Sequence, residues 1–142
     1  MAVHVMNSVP PLIQVGIRTN RPGSSRGRGA KPLLKTALID TGASITAIHP
    51  GIVTALQPLE LGKVELARPG AESLWAPTHD IRIAFEPDPD QARWQITGRW
   101  FDAEAIAARP ASAGIDVLIG QDILSQIVMS WDGPRWKLLL MY

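Results

Sequence analysis

The sequence predicts a mostly β fold with one or two short helices, and three observations predict it. Twelve Gly and twelve Pro in 142 residues cut the chain into short segments, which suits strands joined by turns better than long helices. Several segments alternate apolar and polar residues, as where Arg82 and Ala84 separate Ile81, Ile83 and Phe85; that period of two marks a strand with one buried face. Apolar residues make up 46% of the chain and charged residues 19%, enough to fill a core and too apolar for a disordered segment. At this length residues 1–142 are expected to form one domain.

The elements follow in order. Leu12, Ile13, Val15 and Ile17 belong to a first strand, with Ile13, Val15 and Ile17 on one face. A second, Leu33 to Ile39, runs straight into Asp40. Between them Thr19 to Ala30 is rich in Gly, Ser and Arg and has no aliphatic anchor, so residues 18–35 are expected to carry a mobile basic loop. Pro50 suits the first position of a short helix ending near Leu56. Leu59 to Leu66 and Leu74 to Phe85 are strands, joined by a turn at Arg68-Pro69-Gly70-Ala71. The acidic Glu86-Pro87-Asp88-Pro89-Asp90 is a loop, and Trp94 to Phe101 resumes a strand. Val117 to Ile119 is a short apolar strand ending at Gly120. Asp122 to Val128 has helical spacing over a turn or two, and Ile127 to Trp131 pairs with Trp136 to Tyr142 across Asp132-Gly133.

Composition excludes several functions. A net charge of +1 argues against nucleic acid or an anionic membrane as a partner of the whole surface. With no Cys there is no disulfide, thiolate metal site or cysteine nucleophile. No stretch approaches the roughly 18 apolar residues of a spanning helix, and Met1 to Pro11 has no basic segment leading into an apolar run; the expectation is a cytoplasmic chain with no membrane partner. His4, His49 and His79 are scattered, so no metal and no cofactor is expected. His79-Asp80 lacks the Gly-x-Ser-x-Gly elbow of a serine hydrolase. The cations from Arg18 to Lys35 are read as a solvated loop, with a clamp for an acidic substrate or RNA, or a self-cleavage site, as the alternatives.

One segment carries chemistry. Leu38-Ile39-Asp40-Thr41-Gly42-Ala43-Ser44 sets a carboxylate at the end of an apolar strand, followed by a hydroxyl and a glycine in a turn. Taken alone, Asp-Thr-Gly is a turn whose Asp bonds its own loop. The letters Asp40-x-Gly42-x-Ser44 also fit the phosphate turn of the actin and sugar-kinase fold, which needs more than twice this length and a second acidic turn. The seven residues resemble the active-site motif of aspartic proteases, and Ala43 makes them similar to the retroviral type, the retropepsins. Later, Val117-Leu118-Ile119-Gly120-Gln121-Asp122-Ile123-Leu124 resembles that family's second signature, a short apolar strand and Gly leading into a helix behind the active-site loop.

The resemblance covers Leu12 to Tyr142 and implies a retropepsin-like acid-protease β-barrel, active as a homodimer on protein or peptide substrates. It implies that Asp40 is the catalytic acid and base, one from each subunit, because the chain has a single Asp-Thr-Gly. Thr41 would bond across the two-fold axis, and Gly42 would bond substrate through its backbone. Ala43, Ser44, the hairpin tip Arg68, Pro69, Gly70 and Ala71, and Trp75 would contact substrate, while Gly120, Gln121 and Asp122 would support the loop. Two departures stand out: the tip is less Gly-rich than a viral flap, and Ser44 with Gln121 replaces a salt bridge by a neutral hydrogen bond. The C-terminal run Leu138 to Tyr142 is the candidate for a strand shared between subunits or folded back on its own. The other function class is a catalytically idle dimerisation or interaction domain of the same fold.

Overall fold

The computed structural model describes residues 3–6, 11–20, 32–67, 69–85, 99–109, 113–135 and 137–141. In order these form β1 (Val3–Met6), β2 (Leu12–Thr19), β3 (Leu33–Ile39), β4 (Ala47–Ile48), α1 (Pro50–Leu56), β5 (Glu60–Leu66), β6 (Leu74–Phe85), β7 (Phe101–Ala107), β8 (Val117–Ile119), α2 (Gln121–Leu124), β9 (Val128–Asp132), a 3₁₀ turn (Gly133–Arg135) and β10 (Lys137–Met141).

Alternation decides which faces meet. Ile13, Val15 and Ile17 of β2 are buried, as are Ile81, Ile83 and Phe85 of β6 and Phe101, Ala103 and Ala105 of β7. Hydrogen bonding runs in the order β2-β3-β8-β4-β7-β6-β5, and β2 also pairs β6. That extra pairing closes six strands into a barrel, which has no open edge. The β3–β8 and β4–β7 pairs are parallel and the rest antiparallel. Phe85 and Phe101 meet in the core, ring centroids 5.6 Å apart at 58°, within the range of attractive tilted aromatic pairs. β5 lies outside the barrel, pairing only the first half of β6, so β5 and β6 stand off as a hairpin.

The remaining strands make a separate sheet in the order β1-β10-β9. Its Leu140 is fully buried in the main core, and Met129, opposite it in register, packs against the same cluster. The C-terminal strand therefore folds back within its own chain, with β1 on one side and β9 on the other. Both its backbone edges are occupied, and among the described residues the edges without a neighbour are those of β1 and β9.

Several boundaries differ from expectation for identifiable reasons. Of the strand expected over Trp94 to Phe101, residues 94–98 lie outside the described residues; Arg99 and Trp100 are irregular, and a strand runs from Phe101 to Ala107. Its inward positions are mostly alanines, which have low strand propensity and hide the alternation. The helix expected over Asp122 to Val128 is one turn, Gln121–Leu124, and Val128 starts a strand. The last connection is a 3₁₀ turn over Gly133–Arg135 rather than a two-residue Asp132-Gly133 turn, because Asp132 still pairs Lys137. Arg18 and Thr19 end β2 and Leu33 to Lys35 begin β3, so the basic loop is shorter than residues 18–35. Arg18 stacks its guanidinium 4.5 Å from the Trp100 ring centroid, and burial, then the charge of Arg82, lowers its pKa from the ordinary value. Residues 21–31, the acidic loop 86–90, Trp94, Trp136 and Tyr142 lie outside the described residues. No helix among the described residues is long and apolar enough to cross a membrane.

Helix α1 matches its expected span because its ends are specified locally. Pro50 occupies its first turn, His49 Nδ1 accepts a hydrogen bond from the Gly51 N–H at 3.0 Å, and Gln57 closes the helix with φ 47°. Ile52 and Leu56 are its buried face. Replacing His49 by Ala leaves that N–H without its cap and should lower unfolding free energy by about 1 kcal/mol in a urea titration, whereas His49→Asp, a side chain with a good capping oxygen, should hold stability near the parent's.

Candidate active site

The site is built on an arch. The order β3-β8-β4 means that the chain leaves β3, passes over the end of β8 and returns on its far side. Asp40 to Thr46 form that arch. Its first residue extends the parallel ladder, because the Asp40 N–H donates to the Ile119 carbonyl at 3.0 Å. The Ala43 N–H donates to the Asp40 carbonyl at 3.2 Å, and the Gly42 N–H donates to Asp40 Oδ1 at 3.0 Å. The carboxylate is thus aimed by its own turn. A Cβ on Gly42 would lie 3.3 Å from that same oxygen, so the glycine keeps the carboxylate's place free.

Below the arch β8 continues into α2, and the two backbones nearly touch. A Cβ on Gly120 would lie 2.6 Å from the Ile45 carbonyl carbon, 2.8 Å from its oxygen and 2.9 Å from the Thr46 nitrogen. Helix α2 then bonds back to the arch: the Gln121 N–H donates to the Ala43 carbonyl, and Gln121 Nε2 to the Thr41 carbonyl, both at 2.8 Å. The buried Thr46 hydroxyl accepts from the Gly120 N–H at 3.2 Å and donates to Asp122 Oδ1 at 2.7 Å. Asp122 Oδ1 also accepts from the Ile123 N–H at 3.0 Å, and Asp122 Oδ2 is buried with no partner among the described residues.

The residues singled out by sequence fall into two groups. Asp40, Thr41, Gly42, Ala43, Gly120, Gln121 and Asp122 are brought together here, with Asp40 half-buried and Thr41, Gly42 and Ser44 exposed. Gln121 reaches the Thr41 carbonyl rather than Ser44, so the neutral bond expected between Ser44 and Gln121 is replaced by one to the backbone. Among the described residues no cation forms an ion pair with Asp40. Pro69, Gly70, Ala71 and Trp75 sit on the standing hairpin, whose tip turns at Gly70 with φ +72°; Arg68 lies outside the described residues. The hairpin's inner face is Val64, Leu66 and Ala76, which pack with Ile45, Ala47, Ile106, Ala108 and Leu118. Ile45 follows Ser44 and Leu118 lies two residues before Gly120, so the hairpin rests on the flanks of both motifs. Trp75 alternates with Ala76 onto the opposite face and is 62% exposed. Sequence reasoning missed Thr46 and Ile45. The signal for Thr46 was a hydroxyl inside the apolar run Ile45 to Ile48.

A comparison with solved structures matches a retropepsin-like aspartic protease from Rickettsia conorii, with a TM-score of 0.56 and 13% identity over 99% of this chain and 91% of that one. The chain has a retropepsin-like fold. No family model matches the sequence, and no curated protein does either. The likeness agrees with the closed barrel and the two short helices of this chain, and at this identity it speaks to fold alone.

The crossing at Gly120 makes a direct prediction. Gly120→Ala forces backbone against backbone and should cost about 1–3 kcal/mol in chemical unfolding. Gly62→Ala on β5, whose added Cβ would meet nothing closer than Thr78 Oγ1 at 4.0 Å, should be close to neutral in the same assay.

Proposed function

We propose that the chain is an aspartic endopeptidase that works as a homodimer, hydrolysing peptide bonds with a water held between two Asp40 carboxylates. The observation that carries this reading is the arch: a carboxylate presented at the surface by its own turn and braced from behind by α2. The chain supplies one Asp-Thr-Gly, and general acid–base hydrolysis of an amide needs two proton positions at once. A second copy supplies the other.

In the proposed reaction one Asp40 carboxylate takes a proton from the water as its oxygen bonds the scissile carbonyl carbon. The other Asp40, carrying a proton, donates it to the carbonyl oxygen, giving a neutral tetrahedral diol. The first Asp40, now protonated, then gives its proton to the amide nitrogen while the second, now a carboxylate, takes one from a diol hydroxyl; the C–N bond breaks, an amine and a carboxylic acid leave, and the pair again holds one proton. One shared proton keeps the two acids from being charged together. Thr41 and Gly42, exposed beside the carboxylate, would meet the partner's arch and the substrate backbone. The hairpin's tip residues Pro69, Gly70 and Ala71 would reach over an extended peptide, with Ala43 and Ser44 at the cleft's edge and Trp75 on the hairpin's outer face. The subunit contact would run through the two arches and through the open edge of β9, where Val128 and Trp131 are 60% and 49% exposed.

Two measurements test this. Asp40→Asn keeps the side chain's shape and removes the acid and base, so cleavage of an unfolded protein substrate should fall about 10²–10⁴-fold, with the sedimentation profile unchanged; cleavage at the parent's rate takes Asp40 out of the mechanism. Specific activity of the parent should also drop on dilution through the dimer's dissociation constant. Constant activity from a particle that light scattering finds monomeric throughout would reject the two-subunit mechanism.

A further inference from the structure

The carbonyl oxygen that Gln121 holds and the N–H that Asp40 holds belong to one peptide unit, the one joining Thr41 to Gly42. Gln121 Nε2 donates to its oxygen at 2.8 Å, and its N–H donates to Asp40 Oδ1 at 3.0 Å. The plane of that peptide is fixed at both ends, since rotating it to improve one bond would spoil the other. The two bonds also reinforce each other, because a donor on a carbonyl oxygen polarises the amide and strengthens the hydrogen bond its N–H makes. Gln121 itself is anchored: its backbone N–H bonds Ala43, and its residue follows Gly120, which backbone contacts lock beneath the arch.

We infer that Gln121 is a positioning residue for Asp40, acting through the Thr41–Gly42 peptide to aim the carboxylate and to strengthen the hydrogen bond that steadies it. The inference rests on the proposed acid–base role of Asp40 and adds to it a residue that touches neither substrate nor water. An exposed glutamine on a one-turn helix has no packing duty, and its amide meets the one carbonyl whose peptide carries the Asp40 donor. Backbone bonds alone already attach α2 to Ala43, so the side chain's contribution is orientation of the peptide rather than attachment of the helix.

Three substitutions separate this from a structural role. Gln121→Met keeps length and removes the donor. Gln121→Glu puts an acceptor against the Thr41 carbonyl. Gln121→Arg places an Nε–H at the same bond distance from Cα as the glutamine Nε2, and so restores the donor. With the parent and each variant as the full chain, kcat should fall roughly 10- to 100-fold in Gln121→Met and Gln121→Glu, the cost expected of a misplaced acid–base group, with KM within about threefold of the parent's. Gln121→Arg should recover most of it. The same samples give a readout that does not depend on turnover: the Gly42 amide proton should move upfield and exchange faster in Gln121→Met and Gln121→Glu, and return in Gln121→Arg. An unmoved Gly42 amide in Gln121→Met, or a loss that appears only in KM, overturns the inference. If Gln121→Met does not fold, the Glu and Arg variants carry the same contrast. A parent that cleaves nothing counts against the protease reading, and the Gly42 amide still decides the clamp.

Discussion

Where Gly120 passes beneath Ile45 and Thr46 the two backbones come so close that not even a methyl group fits between them. Most of the candidate site depends on this crossing. The arch can straddle β8 only if the strand emerging below it carries no side chain at that point. Once the chains touch, β3 and β4 lie on either side of β8 in hydrogen-bonding range, the first pairing it parallel and the second antiparallel. The same contact sets α2 directly behind the turn, where its first residue reaches both Thr41 and Ala43. A buried hydroxyl, Thr46, completes the junction by accepting from Gly120 and donating to Asp122. Burying these polar groups is tolerable because nearly all of them are paired within the junction.

Closure of the barrel has a second consequence for the site. Because β2 pairs both β3 and β6, the six strands have no edge, and β5 with the first half of β6 is displaced outward as a hairpin. That hairpin still needs its inner face buried, and the apolar surface available is the flank of the arch and of β8, Ile45 and Leu118 among it. Position of the hairpin over the site is therefore a packing result that calls for no special contact at its tip. The positive φ at Gly70, with open space around it, lets the tip turn without constraining what lies beneath.

Much of this was legible in the sequence wherever a local signal decided the outcome. Alternation located β2 and β6, the largely apolar run into Asp40 located β3, and Pro50 located α1, to within a residue or two. The two motifs read as a pair through their resemblance to the two signatures of aspartic proteases, and the structure brings them together at the arch. What was not legible depended on partners distant in sequence. β4 is two residues long and exists only because β7 and β8 flank it, so no periodicity announces it. The alanines of β7 look helical by propensity and become a strand because β6 on one side and β4 on the other take up their backbone hydrogen bonds. Gly120 is visible as a letter, but the reason for it, the carbonyl of Ile45, appears only when the arch is closed. Gln121 was placed as support for the loop, whereas its atom-level partner, the Thr41 carbonyl, could not be chosen from spacing.

The distribution of exposed apolar side chains fits this division between closed and open elements. Among the described residues, Leu59, Leu61, Leu74 and Trp75 are on or beside the β5–β6 hairpin, and Val128 and Trp131 are on β9. Both places lie outside the closed barrel, one beyond β6 and the other at the open edge of the second sheet. A barrel that hides its own edges leaves apolar surface only where sheet pairing is incomplete, and an edge of that kind favours pairing with another chain. The two regions differ in what they can accept. The hairpin is tied to the flanks of the arch, so an extended peptide lying beneath it would pass close to Asp40. β9 follows α2 after three residues and belongs to the sheet whose central strand is anchored in the core by Leu140, so a copy pairing there would be held rigidly with respect to the arch. Under the proposed mechanism those are the two requirements of the site: a cover for a substrate and a stiff contact that brings a second carboxylate to a fixed place.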